Sequence, residues 1–341
     1  VIPHSFGKSE PFTVGIEEEL FCLDGETLEP APFPRDALDG LRLKEELFAS
    51  VVELNTGIHP DAAGAVDELR RLRERARAAA AESGLVLAAA GTWPTAVPEQ
   101  EPVGTNEAYR SFVEYAGPSA RRQYVSGLHV HVGMESPEAC MSALEAVLPW
   151  LPLVLALSAN SPYVAGQETG LRSARAEILA LLPRSGAPPI FGSYADWEAF
   201  VERLVALGLA DAITRVWWDA RPHPRFGTLE IRIADQPTRL ESTAALAALL
   251  RGMAASLRAE GPADRGLYAQ NRWAALRFGR DADLVHPDGS RLVGVSELVD
   301  DLVGRTGIEP EARDLAQADE QLEVGRADGL AALCRRLVAL T

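Results

Sequence analysis

Lysine is nearly missing from this chain of 341 residues: Lys8 and Lys44 are the only two, and every other basic side chain is arginine or histidine. That scarcity leaves almost no position for a catalytic lysine of the phosphate-loop or Schiff-base kind. Recognition of phosphate or carboxylate falls instead to arginine forks, which suit bidentate contacts. An arginine excess is also what a genomic compositional bias produces. Cysteine is sparse too. Cys22, Cys140 and Cys334 lie far apart and form no C-x-x-C pair, which argues against a disulfide framework and fits a reducing compartment. No secretory signal is visible, so a cytoplasmic location is expected. The most apolar run, Val147 to Ala159, holds Pro149 and Pro152 and is too short to cross a bilayer, so no membrane association is expected. A formal charge of −16 argues against general affinity for nucleic acid, which is bound through basic patches.

Familiar signatures are missing as well. The chain contains no G-x-G-x-x-G, G-x-S-x-G or H-E-x-x-H. Gly7-Lys8-Ser9 ends like a phosphate loop, but Ile2 stands where the opening glycine is required.

What is present is a composition able to bury a large core, 47% hydrophobic and 24% charged. No repeat, low-complexity stretch or linker divides it, so one domain over 1–341 is expected, with a helical tail from about 296. Polar residues recur two apart inside apolar alternation in four segments: FTVGIEEELF, SVVELNTG, GLHVHVGM and TLEIRIAD. Side chains of a strand alternate faces, so Glu17 and Glu19 share one face, as do His129 and His131, and Glu230 and Arg232. Because these strands are scattered from 12 to 233, one sheet must collect them. That favours an α+β fold with an antiparallel or mixed sheet and helices packed on its outer face.

Two same-face carboxylates in a half-buried strand resist ionisation unless a cation lies between them. The bland alternative is a solvated edge strand. Glu18 has the parity of Val14, Ile16 and Leu20, which reads as a buried pair member rather than a ligand. A lone Glu53 is ordinarily an outward strand residue and gains weight only from the other strands. H-x-H on a strand is a recurring ligand spacing, against satisfied core histidines as the dull reading. Glu230 beside Arg232 is either an exposed ion pair or a carboxylate ligand next to a phosphate-binding guanidinium. Arg172 and Arg175 open an expected helix, where they bind an anion or merely decorate its surface. Arg221 is placed similarly, with Asn271 and Arg272 as weaker candidates. Oxygen ligands with an occasional imidazole suit Mg²⁺ or Mn²⁺ and point to a metal–nucleotide enzyme.

Taken in order, VGIEEELF, VVELNTG, GLHVHVGM, LALSANSPY, GLRSARAEI, WWDARPHPRFGTLEIRIAD and NRWAALRFG resemble the glutamate–cysteine ligase family 2, carboxylate–amine ligases of the glutamine-synthetase-like superfamily. The resemblance implies a curved, largely antiparallel sheet forming a funnel with helices outside. It also implies ATP-dependent joining of the glutamate γ-carboxylate to an amine such as cysteine. By the same resemblance, two or three Mg²⁺ or Mn²⁺ ions would sit on Glu17, Glu19, Glu53, His129 and Glu230. Arg232, with Glu230, would serve the transferring phosphoryl group, and Arg221 would meet ATP phosphates. Arg172, His131 and Asn160 would hold the substrate. Many relatives carry a cysteine shortly after the VELNTG-like strand, where this chain reads GIHP with His59, so the amine acceptor stays open. A metal-dependent hydrolase using His129 and His131, a guanidino kinase-like phosphotransferase and a non-catalytic binding protein are the alternatives. Oligomeric state is not legible; a homodimer is one option.

Overall fold

Apolar alternation along Val14–Asp24 makes β1, the longest strand, in which Val14, Ile16 and Leu20 are fully buried. The computed structural model describes residues 2–41, 43–210, 215–308 and 317–341. Around β1 assemble β2 (Leu43–Glu45), β3 (Val51–Asn55), β4 (Leu85–Ala88), β5 (Leu128–Gly133) and a hairpin of Ala220–His223 with Thr228–Ile231. The seven-stranded sheet runs from the hairpin through β5, β1 and β3 to β2, and β4 pairs with the far end of β1. Every pairing within it is antiparallel. The α+β fold expected from the scattered strands is therefore the one observed.

One face of the sheet is apolar and covered by helices Ala62–Ala81, Pro137–Val147 and Leu240–Ser256. Their stripes, for example Val66, Leu69 and Leu72 or Leu246, Leu249 and Leu250, lie in the same core as Ile16, Leu54 and Val130. Glu18 points into this core. Arg73 clamps it with two bonds of 2.7 and 2.8 Å, and Gln236 and Thr243 donate to it at 2.7 and 2.8 Å. A buried carboxylate satisfied in this way is a pair member, as its parity indicates. A second cluster, around Phe21, Phe48, Trp93 and Tyr124, lies at the β4 end and takes Leu333 and Leu337 of helix Leu330–Leu340.

Some elements differ from the sequence reading. The apolar run and the residues before it form not one helix but Pro137–Val147, a 3₁₀ turn Leu148–Trp150 and Leu151–Ser158, because Pro149 and Pro152 cannot donate to an unbroken ladder. By length and composition these 22 residues could cross a membrane, but 83% of the apolar window is buried within the chain. The helix expected from Leu171 shrinks to Ala174–Leu179, since Ser173 caps it by accepting from the Ala176 N–H. Arg172 thus precedes the cap. Strand pairing in VWWDA breaks at Asp219: Trp217–Trp218 pairs with Ser185–Gly186, while Ala220–His223 joins the main sheet. The polar tail is helical over Val295–Thr306, Ala318–Asp328 and Leu330–Leu340, and 309–316 lie outside the described residues.

Candidate active site

Residues directly opposite in an antiparallel pair project to the same face. Glu17 faces Asn55 on one side and His129 on the other, and Glu19 faces Glu53. His131 lies opposite Gly15 and Glu230, Glu230 opposite Arg221, and Glu53 opposite Lys44. Register alone therefore gathers Glu17, Glu19, Glu53, His129, His131 and Glu230 on the sheet face turned away from the helical core.

Their side chains form two adjoining clusters. In the first, ligand atoms of Glu17, His131 and Glu230 all lie within 4.8 Å of one another. Glu17 Oε2 is 3.1 Å from His129 Nδ1, and Glu17 Oε1 is 3.4 Å from His131 Nε2. His131 Nδ1 meets Thr228 Oγ1 at 2.9 Å, which fixes the ring and leaves Nε2 buried without a hydrogen bond. Arg232 contacts Glu230 and comes within 3.4 Å of His129 Nδ1. The second cluster joins Glu19, Glu46 and Glu53 within the same 4.8 Å limit. Lys44 and Asn55 each donate to Glu53 Oε1 at 2.7 Å, and the Gly127 N–H donates to Glu19 at 2.7 Å.

Charge balance differs between the two. Burial pushes the Glu17 carboxyl up, but the hydrogen bond from His129 and the charge of both His131 and His129 outweigh it and hold Glu17 well below the ordinary range. Burial likewise opposes ionisation of Glu230, yet Arg221, Arg232 and His131 drive it well below that range. In the carboxylate cluster burial wins. Glu19 is raised by burial, with Glu53 adding to it against His129 and Arg175. Glu46 is raised well above the ordinary range by burial and by the charges of Glu53 and Glu19. Lys44 offsets only part of the charge of three carboxylates, an excess of the kind a cation-binding site holds.

Of the residues expected in the site, Glu17, Glu19, Glu53, His129, His131, Glu230 and Arg232 are brought together, and His131 rather than His129 completes the first cluster. Three are placed otherwise. Arg221 is buried and spends its guanidinium on Glu230, at 2.7 and 3.2 Å, and on the Val216 carbonyl at 2.6 Å. Arg172 is paired to Asp319 at 2.5 Å. Asn160 is fully buried: its amide donates to Gln236 O and Thr238 Oγ1 and accepts from Gln321, so it staples three segments instead of lining the polar face. Arg175 is spent on the Arg232 and Ile233 carbonyls. Asn271 pins the Val285 backbone and Arg272 binds Asp219, both away from the clusters.

Sequence reasoning missed Glu46. It lies one residue beyond β2, where the two-residue period no longer applies, and the acidic pair in KEELF was its only signal. Asn55, two residues after Glu53 on β3, was legible by parity and was passed over.

Glutamate-cysteine ligase family 2 matches residues 13–331. A protein of Rubrobacter xylanophilus, provisionally named glutamate–cysteine ligase 2-3, is 40% identical over 331 residues, covering 94% of this chain and 91% of its own length. A Sorangium cellulosum protein, provisionally named glutamate–cysteine ligase 2, is 38% identical over 86% of this chain and 82% of its own. Among solved structures, the glutamate–cysteine ligase of Francisella tularensis in complex with AMP superposes with a TM-score of 0.68 at 15% identity, covering 97% of this chain and 89% of that one. A bifunctional glutathione synthetase from Pasteurella multocida gives 0.65 at 17% identity, over 96% of this chain and 50% of that one. At such identities the solved structures speak to the fold alone. The chain belongs to the glutamate–cysteine ligase family 2 and is a ligase of the ATP-dependent carboxylate–amine class.

Proposed function

We propose that the polar sheet face joins the γ-carboxylate of glutamate to an amine such as cysteine at the expense of ATP, with divalent cations seated in the two clusters. The observation that carries this reading is the register, which sets Glu17–His131–Glu230 beside Glu19–Glu46–Glu53 with Arg232 against the first. The donor set fits hard cations. The orphaned His131 Nε2 faces two carboxylates, and the second cluster brings three carboxylates, one buried and two partly buried, within reach of one ion. When bound, Mg²⁺ or Mn²⁺ would neutralise phosphate oxygens and draw charge from the γ-phosphoryl group.

In the reaction a γ-carboxylate oxygen attacks the γ-phosphorus and the bond to the β–γ bridging oxygen breaks, releasing ADP. The amine nitrogen then attacks the acyl carbon, phosphate leaves and the nitrogen loses a proton. Arg232, partly exposed at the edge of the face and held by Glu230, is placed to meet the charge on the transferring phosphoryl oxygens. Arg221 holds Glu230 in position from the buried side. Gly127 and Lys44 orient Glu19 and Glu53. In this reading Arg172, paired to Asp319, and Asn160, bonded to Gln236 and Gln321, tie segments together and do not touch substrate, residues 1–341 act as one catalytic domain, and the enzyme works in the cytoplasm.

The test is ADP release from ATP, Mg²⁺ and glutamate across a panel of amines, with the product mass identified. An amide that carries the amine, lost at least 100-fold in Glu17→Gln and Glu230→Gln, is expected. Full turnover by those variants, or a phosphorylated guanidine in place of an amide, would overturn the reading. The hydrolase alternative predicts turnover without ATP.

A further inference from the structure

A groove of about 460 Å³ lies between helix Arg265–Phe278, helix Ala174–Leu179 and the segment 185–189, a volume suited to a small organic molecule. Among the described residues that line it, none belongs to the Glu17–His131–Glu230 or Glu19–Glu46–Glu53 cluster. Trp273 stands in the groove with Pro188 and Pro189 and is 52% exposed. An indole that open in a concave surface offers a large apolar face to a ligand.

The charges around that indole fix what kind of ligand it suits. Two guanidiniums reach the groove, and both are already paired. Arg265 donates to Glu145 at 2.7 Å and to the Pro188 carbonyl at 2.9 Å. Arg272 donates to Asp219 at 2.7 Å and to the Ala176 carbonyl at 3.0 Å. The Tyr268 hydroxyl is likewise spent on Asp219, at 2.6 Å. Glu177 is exposed at the rim, and Arg272, the cation whose charge it feels, is already held by Asp219. With each pair counted as neutral, the lining keeps the one negative charge of Glu177. A carboxylate beside an open indole is a combination that holds a cation.

The same contacts lead to the catalytic face. Tyr268 and Arg272 grip the Asp219 side chain, the Asp219 N–H donates to the Gly186 carbonyl at 2.8 Å, and Gly186 lines the groove. The Asp219 carbonyl accepts from the Arg232 N–H, also at 2.8 Å. A ligand that shifts the helix or the segment 185–189 therefore shifts the residue that holds the Arg232 backbone.

We propose that this groove is a second ligand site, for a small organic cation with a flat apolar group, and that its occupancy is transmitted to Arg232 through Asp219. The cation lies over the Trp273 face beside Glu177, and the apolar group packs on the prolines. Binding stands on the groove alone; the effect on turnover rests on the ligase reading above.

The probe is benzyltrimethylammonium, which has the ring and the charge but no N–H, so it is no amine acceptor. Calorimetric titration of the full chain should show saturable binding with a Kd at or below about 1 mM. Trp273→Ala and Glu177→Gln should each weaken it about tenfold, and Trp273→Tyr should keep most of the affinity. Both positions are exposed, so the variants fold as the parent chain does, and without the probe their turnover should be unchanged. In the parent chain, saturating probe should lower kcat at least twofold, and the effect should disappear in Trp273→Ala at the same concentration. No saturable binding, or a Kd unchanged in both variants, would overturn the site. Binding that leaves kcat untouched would overturn its link to Arg232. If the parent chain forms no amide with any amine, the ligase reading falls while calorimetry still decides the site, so the two failures are distinguishable.

Discussion

Glu17 and Glu19 project from one face of one strand, two residues apart, and their acidities are driven in opposite directions. Burial opposes ionisation of both. Two imidazoles outweigh burial at Glu17, while at Glu19 burial, with the charge of Glu53 beside it, outweighs His129 and Arg175. The boundary between a balanced half and an electron-rich half of the site therefore runs between these two residues.

That imbalance predicts a trade between stability and function at Glu46. Glu46→Gln removes one of three crowded carboxylates, so the metal-free variant should melt at a higher temperature than the parent chain. It should also lose most of the stabilisation that Mg²⁺ confers and most of its turnover. Thermal melts with and without Mg²⁺ or a chelator measure both effects. A lower metal-free melting temperature would remove repulsion as the explanation.

Arg221 and Arg232 both hold Glu230 but should respond differently to mutation. Arg221→Lys keeps the charge and loses the bidentate grip, so Mg²⁺ affinity should fall 10–100-fold, the usual effect of losing a group that orients a metal ligand. Arg232→Ala should act mainly on kcat, through lost stabilisation of the phosphoryl group. Titrating turnover against Mg²⁺ for both variants separates the two roles.

Behind the sheet, Glu18→Ala leaves Arg73 buried and unpaired, with an expected loss of ~3–5 kcal/mol in urea denaturation. Replacing both partners with apolar residues of similar volume should recover much of that loss. If the single variant is as stable as the parent chain, the pair is not the buried clamp described.

The three thiols should be inert. Burial pushes Cys22 up to about 12 and Cys334 to about 11, and raises Cys140 further. A thiol-reactive dye at neutral pH should label none of them in the native protein and all three after denaturation.

Glu101 should make stability depend on pH. Burial and the charge of Glu29 raise it from 4.5 to about 7, so its protonated form is favoured in the folded chain. Its contribution is complete below the unfolded value and is lost as pH rises through about 7. Glu101→Gln should therefore match the parent chain near pH 4 and melt higher than it near pH 8. A variant advantage confined to acid would reverse the sign and refute the shift.

Much of this architecture was legible before any coordinates. Parity along four strands was enough to collect Glu17, Glu19, His129, His131 and Glu230, because a strand's period is geometric and needs no knowledge of its neighbours. Glu18 was separable from its flanking acids for the same reason. What parity does not reach is anything set by tertiary position. Glu46 comes from a loop. Asn160 looks like a ligand by residue type but is consumed by bonds to segments far away in sequence, and Arg221 by the Val216 carbonyl and Glu230. The break at Asp219 depends on Tyr268 and Arg272 arriving from another helix, at 2.6 and 2.7 Å.

The all-antiparallel pairing of distant segments has a kinetic consequence. Glu17 meets its partners only after the chain near residues 53, 129 and 230 has been brought to it, and the closure entropy of those loops comes before any contact that offsets it. The Glu17–His131–Glu230 seat exists only once all three segments have met. Mg²⁺ should therefore slow unfolding and leave the refolding rate unchanged, acting as a latch on finished molecules rather than a guide to unfinished ones.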